Sequence, residues 1–360
     1  MQELFDSKPP KPPKISRRAA LRIGLGGVAT AIAGVTLPSG VDYVQEKIGP
    51  EGLKEDIKEK VEFIKSKYNI PINGTFLDSK TLSSLRKTIG LLMDTQYEEA
   101  SLVKISRALD YLVQEFSKYP SFFVKNLHIP SINIVDSLVS YGDETTTGST
   151  SLKKSGLENY ITLEISSGIL DKDKSFGWSE KEPFKHTIHH ELFHVIFNAI
   201  DNSSGHTFST KWASLYDPED YGTKPYKGKP GFISEYGQQD SDEDFSDTAS
   251  AMMNNLEGIF DKVEKDEKLK RKVDFLKQVI FKRSLNLCNQ EYWDLSKKGS
   301  LTPDFFKKRK AYLLSLDFEK FKDELKLNNW ENRLFVLDED IGTDEKIFDL
   351  LRKQLQEVEV

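Results

Sequence analysis

Pro183-Phe184-Lys185-His186-Thr187-Ile188-His189-His190-Glu191-Leu192-Phe193-His194-Val195-Ile196-Phe197-Asn198-Ala199-Ile200 opens on a proline, is followed by Gly205, and reads as one helix. Ile188, Leu192, Val195, Ile196 and Ala199 give it an apolar side that can pack on a sheet. His190 and His194 lie one helical turn apart, so both imidazoles project from the same face and can bind one metal ion. Glu191 is offset by about 100° of helical rotation, which sets its carboxylate beside the open position of such an ion, where a water would sit. In a chain of this composition the order His-Glu-x-x-His arises by chance on the order of one time in a hundred.

The histidines are unevenly distributed. Five of six (His186, His189, His190, His194, His206) fall within 21 residues, and His128 lies apart. His186, one turn before His190 and within reach of the site, is read first as a surface histidine of the first turn, His189 as structural because it points off the ligand face, and His206 as a loop residue that could line the cleft. The single cysteine, Cys288, excludes an internal disulfide and a cysteine-based zinc cluster, and reads as a small buried hydrophobe. The 360 residues are 38% hydrophobic and 30% charged, a globular composition, and the formal charge of −6 argues against nucleic acid or an anionic membrane as partner.

Upstream of the histidines, apolar spacing predicts helices over about 51–67, 78–93 and 97–119. Residues 131–136 and 160–165 are strand-like, with the Gly/Ser/Thr-rich stretch 142–156 between them read as a long functional loop. Strand 160–165 is expected to line the cleft and pair with an extended substrate backbone. Downstream, helices resume near Asp242 and dominate to the end. The charge run Asp261–Lys272 reads as a solvated helix face. The class is α+β: a small sheet packed on the histidine helix, then a mostly helical second half.

A catalytic zinc site uses three protein ligands and a water, and imidazole with carboxylate suits zinc. A third histidine in the longer motif would require Gly at 197 and His at 200, where this chain has Phe197 and Ile200. The alternative is a carboxylate from the acidic segment Ser234–Asp247. There Ser241 with Asp244 resembles a capping box that starts a helix, and Glu243 and Asp247 share one face of it. Glu235, Asp240, Asp242, Asp244 and Asp247 compete with Glu243; an acidic helix start is often only a solvated cap.

His190-Glu191-x-x-His194 followed by Glu243-x-x-x-Asp247 resembles the gluzincin pattern of zinc metallopeptidases. Tyr236-Gly237, seven residues before Glu243, is similar to the lethal-factor-like bacterial zinc peptidases. The resemblance covers roughly Lys60 to Met253, and departs from that type in having Asp247 where it usually has Glu. It implies a zincin-like fold, with His190, His194 and Glu243 as Zn2+ ligands and Glu191 as general base on a zinc-activated water. It further implies Tyr236 as donor to the oxyanion, and Asp247 as hydrogen-bond partner of a histidine, His190 first among them.

Residues 1–40 read as a leader. A Pro/Lys-rich stretch is followed by Arg17-Arg18 and a short apolar run from Ile23 to Leu37, which resembles a twin-arginine export signal. Removing residues 1–33, with six positive and two negative charges, leaves a net −10 and no stable membrane span. The expected organisation is leader 1–40, metallopeptidase domain 41–288 and helical extension 289–360. The expected function is that of an exported peptidase, periplasmic, cell-surface or secreted, acting on a protein or peptide. The same zinc chemistry could serve a non-peptide amide. The alternative is a non-catalytic extracytoplasmic binding protein that keeps the fold.

Overall fold

In a computed structural model of the chain, the residues described are 50–73, 102–135, 148–152, 159–164, 183–215, 221–222, 229–254, 258–327, 344–358 and 360. The leader and the helix expected over about 78–93 lie outside them. Helix α1 (Pro50–Tyr68) buries Leu53, Ile57, Ile64 and Tyr68 along one face and leads into β1 (Ile72–Asn73). Helix α2 (Leu102–Phe116) packs on α1 with Ile105, Leu109, Leu112 and Phe116, the helical period read from the sequence. A short helix α3 (Ser121–Lys125) begins after Pro120.

Strands β2 (Ile132–Val135), β3 (Gly148–Leu152) and β4 (Asn159–Glu164) join β1 in a four-stranded sheet of order β1-β2-β4-β3. The first three in that order are parallel, with Ile72 opposite Ile132 and Ile132 opposite Ile161. Parallel neighbours require a crossover, and α2 and α3 lie in the one between β1 and β2. β3 runs antiparallel to β4, with Thr150 opposite Ile161.

Two expectations change here. The stretch read as a loop contains β3, whose Gly-Ser-Thr-Ser-Leu sequence has no apolar alternation and is carried by its ladder to β4. β4 is bracketed by β2 and β3, so its backbone is already paired on both sides and cannot receive a substrate strand; among the described residues the edges of the sheet are the two-residue β1 and, next to β4, β3.

Helix α4 (Pro183–Ser203) carries the histidines. It buries Phe184, Ile188, Leu192, Phe193, Val195, Ile196, Phe197 and Ile200, too many for one stripe, because α2, β3, β4 and a later helix pack around it. It gives way to left-handed Gly205 (φ +61°). The remaining helices are α5 (Thr207–Ser214), α6 (Ser241–Met253), α7 (Ile259–Lys265), α8 (Glu267–Arg283), α9 (Gln290–Lys297), α10 (Pro303–Ser315), α11 (Phe318–Leu327) and α12 (Asp344–Glu357).

All described strands precede α4, so the class is α+β with a helical second half. One buried apolar cluster runs from Ile57 to Leu355 and includes Phe245 and Ala249 of α6 with Tyr292 and Trp293 of α9. The run Asp261–Lys272 is not a continuous solvated face. Asp266 ends α7 and caps α8 through the Lys268 and Leu269 N–H groups, and Lys272 is fully buried. Among the described residues no helix is long and apolar enough to cross a membrane.

Candidate metal centre

Helix α6 packs directly on α4, bringing the acidic segment to the histidines. Its cap is Asp240, not the Ser241/Asp244 pair. The extended backbone of Asp240 (φ −159°) carries Oδ1 to the Asp242 and Glu243 N–H groups, 2.9 Å from each. Ser241 is the first helical residue, and Asp244 turns inward to other partners.

This capped turn presents Glu243 to the histidine pair. His190 Nε2 and His194 Nε2 are 3.0 Å apart, and Glu243 Oε2 lies 3.1 Å from the first and 3.3 Å from the second. A tetrahedral zinc ion with bonds of about 2.0–2.1 Å has donor-to-donor edges of about 3.3 Å, so the three atoms form one face of such a site. Both histidines are 8% exposed. Among the described residues, His190, His194 and Glu243 are the group of donors that could hold a metal ion. Burial works to raise the Glu243 carboxyl, but its bonds to the two histidines outweigh this and hold it well below the usual carboxylate range. Burial likewise disfavours a charged His194, and Asp242 and Glu243 reverse that, raising its pKa well above the ordinary value.

Glu191 is 4% exposed and near enough for its charge to act on both His194 and the Tyr236 hydroxyl. Tyr236 opens a 3-10 turn, Tyr236–Gln238, at the rim of the site. Its ring lies 5.8 Å from that of His190, and its hydroxyl donates to Glu243 Oε1 at 3.2 Å. The residue is 45% exposed, and burial of the hydroxyl end, followed by the Glu243 and Glu191 carboxylates, drives its pKa upward, so it stays a proton donor.

Asp247 departs from expectation. It makes no hydrogen bond to His190, whose buried Nδ1 has no partner among the described residues. Its Oδ2 accepts instead from the Ser234 hydroxyl at 2.6 Å, and Ser234 Oγ in turn accepts the Gly237 N–H at 3.1 Å. The shorter arm of Asp, compared with Glu, ends on the turn beside Tyr236. Burial pushes the Asp247 carboxyl up to about 6. Asp242, read from sequence only as a competitor of Glu243, has another place: its Oδ1 accepts from His194 Nδ1 at 2.7 Å.

Of the other clustered histidines, His186 departs from expectation and His189 and His206 do not. His186 is not a surface side chain: its Nε2 meets Ser250 Oγ at 2.7 Å and its ring lies 5.9 Å from that of His190. His189 is structural, with Nε2 donating to Glu115 Oε2 at 2.7 Å and Nδ1 accepting from the Tyr119 hydroxyl at 2.8 Å. Burial holds its pKa down at about 4 against the pull of Glu115. His206 is exposed, in left-handed backbone (φ +67°), and is tied to Asp201 at 2.8 Å. Cys288 is buried, as expected.

Residues 168–309 match a family model. The family is described as "Putative zinc-binding metallo-peptidase", and the match spans less than half of the chain but includes α4, the Tyr236 turn and α6. At this coarse level the similarity is to zinc metallopeptidases. Among solved structures, one from Bacteroides caccae ATCC 43185, described in the same words, aligns with a TM-score of 0.42 and 12% identity over 72% of this chain and 94% of that one. No curated protein matches the chain.

Proposed function

We propose that the chain is a zinc-dependent metallopeptidase of the gluzincin type, similar in its motifs to the lethal-factor-like peptidases, that hydrolyses peptide bonds in a protein or peptide substrate. The observation that carries this reading is the convergence of His190 Nε2, His194 Nε2 and Glu243 Oε2 within 3.0–3.3 Å of one another. The family match over residues 168–309 supports it. In such a site zinc supplies Lewis-acid chemistry, polarising the scissile carbonyl and acidifying water.

The chain's own residues do the rest. Glu191, buried beside the triad, takes the proton of the attacking water and delivers it to the leaving amine. Tyr236, kept protonated by its surroundings, swings its hydroxyl from Glu243 to the carbonyl oxygen as negative charge develops there, an interaction of a kind worth about 3–4 kcal/mol in the transition state. A protein retaining the fold only for binding would have no chemical use for the carboxylate of Glu191.

Among the described residues β3 has no strand on its outer side, and an extended substrate backbone would pair there. The Arg17-Arg18 leader supports export, so the full chain should fractionate outside the cytoplasm; cytoplasmic retention would contradict that part.

The mechanism is tested by Glu191→Gln. The variant should keep one zinc per chain and lose peptidase activity by at least about a hundredfold. Activity close to wild type with zinc retained would refute Glu191 as the base.

A further inference from the structure

We propose that Asp242 is the positioning residue that orients His194 for its metal; the inference rests on the metal-centre reading above. His194 Nε2 belongs to the donor triad, while its Nδ1 is held by Asp242 Oδ1 at 2.7 Å. With Nδ1–H given to the carboxylate, the lone pair of neutral His194 is fixed on Nε2, the atom facing His190 and Glu243.

The local sequence explains how Asp242 reaches this position. Asp240 caps the Asp242 and Glu243 N–H groups together, so one rigid turn delivers a metal ligand and the orienter of another from adjacent residues. Asp247 does not do this work: it lies five residues further along α6, where its Oδ2 is engaged by Ser234 and its Oδ1 lies 3.8 Å from His186 Nε2. The two ligand histidines are therefore held differently. His194 is clamped by a charge-assisted hydrogen bond, and His190 is flanked by the rings of His186 and Tyr236 at 5.9 and 5.8 Å. Asp242 keeps about a third of its side chain exposed, so replacing it opens no core cavity.

The test titrates zinc into the metal-free full chain against a chromophoric chelator, for wild type, Asp242→Ala and Asp242→Asn. It is paired with the visible spectrum of each chain loaded with cobalt(II). Asp242→Ala should bind zinc about 10–100-fold more weakly and show an altered cobalt band. Asp242→Asn keeps a carbonyl oxygen for the Nδ1 proton and should stay within a few-fold of wild type in affinity, with a near-native band. Wild-type affinity in Asp242→Ala would overturn the proposal. Equal losses in the two variants would also overturn it, since charge rather than orientation would then be the cause. A wild-type chain that binds no zinc would refute the metal centre itself, a different result from either.

Discussion

At Gly237 an added Cβ would lie 3.1 Å from Asp247 Oδ2 and 3.3 Å from the Asp244 Cα, so the turn bearing Tyr236 sits tightly against α6 and a side chain there requires its neighbours to give by a few tenths of an ångström. Gly237→Ala should push the turn outward, lowering kcat about tenfold or more while zinc content and KM change little, because the loss falls on a contact made in the transition state. Steady-state kinetics alongside metal analysis checks this; an unchanged kcat would detach Tyr236 from the chemistry. The residues legible from sequence alone were those whose relation is local: two histidines and a glutamate on one helix, and a tyrosine seven places before a glutamate. Asp242 was not legible as a partner of His194, because the two are 48 positions apart and only the packing of α6 on α4 sets their distance. The cap was misassigned for a related reason. Ser241 and Asp240 both compete for the same free N–H groups, and the extended backbone at Asp240 decides between them.

Among the elements, α6 matters most, since it brings Glu243 to the histidines and is anchored from behind. Asp244 Oδ2 accepts from Trp212 Nε1 at 2.8 Å, the Tyr221 hydroxyl at 2.6 Å and Lys272 Nζ at 2.7 Å, with Trp212 and Lys272 fully buried. Lys272 also donates to the Gly231 carbonyl at 2.7 Å, tying α8 to the segment before the Tyr236 turn. Lys272→Met would strand a buried carboxylate and should destabilise the chain by about 3–5 kcal/mol in urea unfolding. Adding Asp244→Asn should recover part of that loss, and additive losses in the double variant would argue against a coupled pair. A sequence window sees Lys272 only as one charge in a charged run, and its burial follows from Asp244 28 residues earlier. β3 was likewise hidden. A Gly-Ser-Thr-Ser strand has no periodic signal, and its identity comes from β4 pairing along its length. The amphipathic faces of α1 and α2, by contrast, were plain from spacing because the packing they serve is one-sided.

Across the whole molecule, the sheet-side helices and the metal-site helices are joined by a buried polar contact. Glu115 of α2 accepts from His189 of α4 and is salt-bridged by Lys118 and Lys185. Burial alone would raise the Glu115 carboxyl, but Lys118, the hydrogen bond to His189 and Lys185 overcome it and hold it well below the usual range. The folded value therefore lies below that of the unfolded chain, about 4.5. Its contribution to stability is complete above that pH and disappears as pH falls through the folded value. The stability difference between wild type and Glu115→Gln in urea titrations should be largest near neutrality and shrink in acid; a difference independent of pH would contradict the ionised contact. The same packing that closes this contact sets α4 against α6, and so the account rests on what that meeting holds. Anomalous diffraction at the zinc edge, from crystals of the zinc-loaded full chain, examines it directly. One peak within about 2.0–2.2 Å of His190 Nε2, His194 Nε2 and a Glu243 carboxylate oxygen is the predicted result; no peak there, or one coordinated without Glu243, would contradict it.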